Sequence, residues 1–136
     1  MTESARWTNK KYGGYHTRET LEDDVDLTRV GPAQPCGEYM RRFWFPVAMT
    51  EQLGERPVPI RILGEDLVIF RDLSGNIGLL HRHCSHRRMS LEYGRIEQHG
   101  IRCAYHGWQF DADGAILDTP GEPADSNIKE KICHGA

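Results

Sequence analysis

The sequence predicts an antiparallel all-β domain. Three observations lead there. Apolar runs of strand length recur at short intervals, Gly or Asn sits in the gaps between them, and 136 residues give room for one domain of ordinary size rather than two. Hydrophobic residues make up 38%, aromatics 9% and charged residues 27%, with 14 Gly and 7 Pro. That is the composition of a turn-rich globular chain, neither disordered nor fibrous.

Taken in order, residues 1–42 read as an arm with a short helix, and residues 43–136 as the β domain. The arm is polar and charged (TRETLEDDVDLTRVGPAQP) and holds little that could build a core. It is expected to lie extended on the outside or on a partner, the alternative being a loose tail. A helix from about Gly37 to Phe43 would set Tyr39, Met40 and Phe43 on one face. The apolar run Phe43–Met49, broken by Pro46, suits a strand start or an edge.

Val58–Leu63 alternates, Gly64-Glu65-Asp66 turns, and Leu67–Arg71 reads as a buried strand. Asp72–Asn76 is a hairpin turn leading into Ile77–His81. Gly94–Ile96 and Ile101–Cys103 flank a turn at His99-Gly100, and Trp108–Asp111 and Ala115–Asp118 flank another at Ala112-Asp113-Gly114. The last residues, Lys129–Ala136, read as the middle of a strand or loop rather than a natural end.

Several function classes fall away. Net charge is −3, from 17 basic and 20 acidic residues, so the basic surplus of a nucleic-acid binder is missing. No apolar run has the length of a transmembrane helix, which argues against a membrane protein. The opening MTESARWTNKKYGGY has no apolar segment, so a secretory signal is not expected and a cytoplasmic, reducing compartment is. There the four cysteines, Cys36, Cys84, Cys103 and Cys133, serve more readily as metal ligands or buried thiols than as disulfides.

The chemistry concentrates in two connections. The first reads His83-Cys84-Ser85-His86-Arg87, the second Cys103-Ala104-Tyr105-His106-Gly107-Trp108. The pattern is C-x-H, sixteen residues, then C-x-x-H. Each loop follows a strand and supplies one thiolate and one imidazole, so two facing loops would present four ligands. Zinc is the first rival, although zinc modules usually keep both cysteines on one element and both histidines on another. Mixed pairs suit an asymmetric two-iron centre instead, with Cys84 and Cys103 on one iron and His86 and His106 on the other.

These residues resemble the Rieske motif of Rieske non-haem iron oxygenases, the ring-hydroxylating dioxygenases and related monooxygenases. Leu27–Pro32, Pro35-Cys36-Gly37 and Arg42–Pro46 further resemble the N-terminal region of phthalate dioxygenase-like oxygenase subunits. The resemblance implies an ISP-like Rieske fold with a small cluster-binding subdomain. It implies a [2Fe–2S] cluster on Cys84, His86, Cys103 and His106, and electrons received from an NAD(P)H-dependent reductase or a ferredoxin. Onward transfer would go to a mononuclear non-haem Fe(II) in a separate catalytic domain of the same or a neighbouring subunit, in a homotrimer, for hydroxylation of an aromatic or similar small organic acid. No two-His, one-carboxylate triad occurs here, so the chain is expected to be the Rieske part of a longer subunit. A freestanding Rieske-type ferredoxin is the alternative.

The departures from the family pattern are informative. Ser85 stands where many relatives carry Pro, and Arg88-Met89 where Gly-Ala or Gly-Thr is common. Respiratory Rieske proteins add a cysteine to each loop, joined as a disulfide. The corresponding residues here are Met89 and Tyr105, and Trp108 replaces their serine after the second His-Gly. Losing that hydroxyl predicts a potential in the lower part of the roughly −150 to +300 mV Rieske range. One added electron should raise the proton affinity of the outer imidazole nitrogens, and the edges of His86 and His106 are the expected electron exit.

Five further histidines have plainer readings. His81 and His86 form half of a D-x2-H-x4-H iron site, but Gly78 occupies the carboxylate position. His83 is expected at the surface beside the cluster, and His16, His99 and His134 in solvent. Arg87 and Arg88 read equally as a docking patch for an acidic reductase or a charged loop face, and Trp108 as a shield for the cluster, a core aromatic, or both. Cys36 and Cys133 are expected to be unpaired.

Overall fold

The computed structural model describes residues 22–135. Most of the expected arm, residues 1–21, and His16 with it, therefore lie outside the described residues.

The architecture is two small antiparallel sheets. β1 (Val58–Ile62), β2 (Glu65–Arg71) and β3 (Ile77–His81) form the first in the order β1-β2-β3. β4 (Arg95–Ile96), β5 (Ile101–Arg102), β6 (Gln109–Phe110) and β7 (Ile116–Asp118) form the second, again in chain order. Sequential order follows from the short connections, which can only join neighbouring antiparallel strands.

The strands expected from Val58 onward are present, most of them a residue shorter at an end, and β2 starts two residues earlier than expected. β2 begins at Glu65, because the turn needs only Leu63 and Gly64, both left-handed at φ 49° and 80°. Two consecutive left-handed residues are what a tight hairpin requires, and Gly64 meets that at little steric cost. The run Phe43–Met49 holds no strand, and Trp44 is fully exposed. Pro46 lacks the amide a ladder would use, and among the described residues no strand pairs with this stretch.

The expected helix sits earlier than its apolar pattern suggested, as α2 (Pro35–Met40) after a one-turn α1 (Val25–Thr28) that the sequence did not announce. Pro35 opens α2 because its fixed φ suits the first helical position and its missing amide would be unpaired there anyway. Tyr39 and Phe43 do meet, edge to face at 5.1 Å, but both stay exposed rather than joining the core. Arg41 fastens this region to the first sheet. Its Nη2 donates to the Leu63 carbonyl and to Glu65 Oε1, both at 2.8 Å, and its Nη1 to the Val30 carbonyl at 3.3 Å.

The core gathers Val68, Phe70 and Leu80 from the first sheet, Ile101, Phe110 and Ile116 from the second, and Cys84, Leu91, Cys103 and Trp108 from the connections. Two ties join the sheets. Buried Asp72 accepts from the amides of Ser74, Asn76 and Gly100 and from the Asn76 side chain. After a third short helix, α3 (Ile128–Lys131), residues 132–135 run extended, with the His134 amide on Gly114 O and the His81 amide on Gly135 O.

That second tie corrects the expectation of a solvated His134. The ring is buried against Phe110, and its Nε2–H donates to the His81 carbonyl at 2.7 Å. Its polar sequence surroundings concealed that the extended tail carries it inward.

Candidate metal centre

Two loops of the same construction form one end of the molecule. In the first, the Cys84 amide donates to Met89 O at 2.9 Å and the Arg88 amide returns to Cys84 O at 2.8 Å. In the second, the Cys103 amide donates to Trp108 O at 2.8 Å and the Gly107 amide returns to Cys103 O at 3.2 Å. Each loop closes through its fourth residue after the cysteine, and that residue is left-handed in both: Arg88 at φ 59° and Gly107 at φ 75°.

This folding turns the same backbone groups onto each sulfur. The amides of His86 and Arg87 bond the Cys84 sulfur, and those of Tyr105 and His106 bond the Cys103 sulfur. Amide donors favour a thiolate over a thiol. Both cysteines are buried, and their side chains face each other closely enough to shift one another's thiols. The Cys103 side chain beside it, with burial, pushes the Cys84 thiol up, while the Cys84 side chain draws the Cys103 thiol down. Two buried sulfurs at this range form a donor pair for a thiophilic metal.

The imidazoles of His86 and His106 lie beside the sulfurs, their centroids 4.6 Å apart. Burial holds His86 below the usual histidine value, reinforced by the neighbouring His106 and Arg87 and opposed by the carboxylate of Glu122. A neutral imidazole is the form that ligates metal. The indole of Trp108 stacks flat on His86 at 4.6 Å with 1° between planes, and Tyr105 tilts over His106 at 3.8 Å. Trp108 is thus a fully buried core aromatic whose flat face also covers His86.

The other sequence candidates stand apart. His81 faces Gly135 and His134 rather than the loops. His83 only bridges to Ser90, and His99 is exposed beside Ser74. All four cysteines are free thiols, with Cys36 half-buried and Cys133 exposed. Arg87 and Arg88 are exposed at the rim.

Sequence reasoning missed Arg102 and Glu122. The strand alternation of Ile101 and Arg102 turns Arg102 away from the core, and that side holds the second loop's carbonyl. Glu122 is remote in sequence from both loops, so no spacing pointed to it.

The comparisons with known proteins bear on this geometry. Residues 43–130 match the Rieske [2Fe-2S] domain. The chain belongs to the Rieske [2Fe–2S] domain family. It is 51% identical over 128 residues to the tert-butanol monooxygenase / tert-amyl alcohol desaturase oxygenase subunit of Aquincola tertiaricarbonis, covering 92% of this chain and 27% of that protein. It is 47% identical over 120 residues to the phthalate 4,5-dioxygenase oxygenase subunit of Pseudomonas putida, covering 86% of this chain and 27% of the relative. Among solved structures, dicamba monooxygenase with non-heme iron and dicamba superposes with a TM-score of 0.56 at 31% identity, over 59% of this chain and 24% of that one.

The Rieske chain therefore spans about a quarter of the length of the oxygenase subunits it matches, and the matched part is their Rieske portion. Among the described residues, no helix is long and apolar enough to cross a membrane.

Proposed function

We propose that this Rieske domain relays single electrons through a [2Fe–2S] cluster held by Cys84 and Cys103 on one iron and His86 and His106 on the other. One observation carries the reading: two loops of equal backbone geometry aim a buried thiol pair and an adjacent imidazole pair at one end of the molecule. The donor set fits the cluster. Soft, amide-bonded thiolates suit one iron, and neutral imidazoles suit the other and leave it the more readily reduced.

When bound, the cluster supplies reversible one-electron chemistry. The residues of this chain do the rest. Backbone amides hold the negative charge of the thiolates, and Trp108 screens His86 from water on one face. His86 and His106 keep ring edges available for a partner's carboxylate or carbonyl, the natural path for the electron. In the proposal the donor is an NAD(P)H-dependent reductase or ferredoxin. The acceptor is a mononuclear iron in a catalytic domain of the same or a neighbouring subunit, which would activate O2 for hydroxylation of a small, typically aromatic, substrate in a cytoplasmic homotrimer. The length of the matched oxygenase subunits supports this over a freestanding ferredoxin.

The test begins with the purified, reconstituted protein. Equal iron and acid-labile sulfide, a red-brown colour and a Rieske electron paramagnetic resonance (EPR) signal on reduction are expected, and Cys84→Ser or Cys103→Ser should abolish all three. A colourless, zinc-loaded protein would overturn the reading. The intact mass of the native protein separates the two roles: a mass several times that of this chain supports the oxygenase, and one equal to it supports the carrier.

A further inference from the structure

Arg102 lies one residue before Cys103 and makes a denser set of bonds than any other side chain near the site. Its Nη1 donates to the Gly107 carbonyl at 2.6 Å and to Asp118 Oδ2 at 2.8 Å. Its Nη2 donates to Gln109 Oε1 at 2.6 Å and its Nε to Glu97 Oε1 at 3.1 Å. The guanidinium is half-buried, and its two carboxylate partners lie on the strands and turn that flank β5 and β6.

The Gly107 carbonyl is the informative partner. Gly107 sits between His106 and Trp108, so its carbonyl belongs to the peptide that leads from the residue after His106 into Trp108, whose indole is stacked on His86. Its left-handed φ of 75° gives the peptide a conformation that packing alone would hold loosely. No hydrogen bond reaches the matching Arg88 carbonyl in the first loop among the described residues.

From this geometry we propose that Arg102 is a positioning residue for the metal centre: it clamps the second loop through the Gly107 carbonyl and so fixes His106 and Trp108 relative to the first loop. A fork is needed, because one guanidinium must satisfy a carbonyl, an amide oxygen and two carboxylates in different directions. A lysine reaches the carboxylates as a point charge but cannot make all four bonds. The inference rests on the ligand assignment proposed above.

The experiment uses the intact, cluster-loaded protein and three variants: Arg102→Gln, Arg102→Lys and Arg95→Gln. Arg95 also pairs with Glu97 but is largely exposed and, among the described residues, makes no hydrogen bond to either cluster loop, so it reports the loss of a nearby charge without the loss of the clamp. Circular dichroism checks folding, a chelator challenge gives the rate of cluster loss, and EPR of the reduced protein reads the environment of the histidine-bound iron. In Arg102→Gln, cluster loss should accelerate by about ten- to a hundred-fold, the range typical when support behind a metal ligand is removed. Its EPR lines should broaden and shift, Arg102→Lys should fall between, and Arg95→Gln should match the parent.

A folded Arg102→Gln or Arg102→Lys protein with parental loss rate and spectrum would overturn the inference. So would equal effects in Arg95→Gln. If Arg102→Gln does not fold, Arg102→Lys decides alone, because it keeps the charge and loses the fork. Failure of the ligand assignment looks different, since the parent protein would then show no Rieske signal at all.

Discussion

The two Cys-His loops share a backbone and differ in what anchors it to the rest of the fold. Each closes with the same pair of main-chain bonds and aims the amides of the second and third following residues at its cysteine sulfur. Yet the closing residue is Arg88 in the first loop and Gly107 in the second. The next residue is half-buried Met89 in one and fully buried Trp108 in the other. Backbone geometry is thus dictated by what a thiolate needs, whereas anchoring can be supplied by whatever lies behind each loop. The second loop is built into the core and the first rests against it.

The difference is sharpest at the position after the closing residue. Trp108→Ala removes an indole from the core and the flat surface under His86, at a cost of about 3–5 kcal/mol. Met89→Ala, at a partly buried site, should cost only about 1–2 kcal/mol. Denaturant melts of both variants, with Trp108→Phe in case Trp108→Ala does not fold, measure the gap. Equal losses would mean that the loops are anchored alike.

A smaller effect of opposite sign is expected one residue earlier. Gly107→Ala introduces a side chain at positive φ with the Pro120 ring 3.2 Å from its Cβ, so it should lose about 1–2 kcal/mol. Arg88→Gly relieves a left-handed arginine whose side chain makes no hydrogen bond to the loop among the described residues, and stability should stay level or rise by up to about 1 kcal/mol. A loss of more than about 1 kcal/mol in Arg88→Gly would show that the Arg88 side chain anchors the first loop after all.

The sequence makes one half of this comparison legible and hides the other. The Cys-His spacing and the strand-turn rhythm are local, so both loops and the strands from Val58 onward could be read directly, although the first hairpin turns at Leu63-Gly64 rather than at Gly64-Glu65-Asp66 and Phe43–Met49 forms no strand. What stayed hidden depends on partners distant in the chain. Nothing near Arg102 reveals that Glu97 and Asp118 converge on it from either side. The Tyr39 and Phe43 spacing correctly brought those rings together but could not show that the face they share has no core to meet. His134 failed as a surface residue for the same reason: burial there comes from Phe110 and His81, which are distant from it in sequence.

His134 also separates the two loops by pH, because each stem hangs on a different titrating group. The first loop continues from His81, whose amide and carbonyl are held by Gly135 and by the His134 ring. The second follows the turn at Gly100, whose amide is held by Asp72. Burial keeps the His134 ring below its ordinary value of 6.5, its bond to His81 O only partly offsetting this, with the His81 ring edge-on at 6.4 Å as its titratable neighbour.

The unfolded chain therefore takes up this proton first, and the stability His134 contributes is full above 6.5 and lost as pH falls below it. Asp72 is pushed up by burial but held below 3.8 overall by bonds from Asn76, Gly100 and Ser74. Its contribution is full above 3.8 and fades only as pH drops further, through its folded value. Hydrogen exchange at pH 5, corrected for the intrinsic rate, should show the His81 amide losing protection while the Gly100 amide keeps it, and His134→Phe should remove the difference. Simultaneous loss at both amides would mean that the two stems open as one unit, and that the asymmetry ends at the loops themselves.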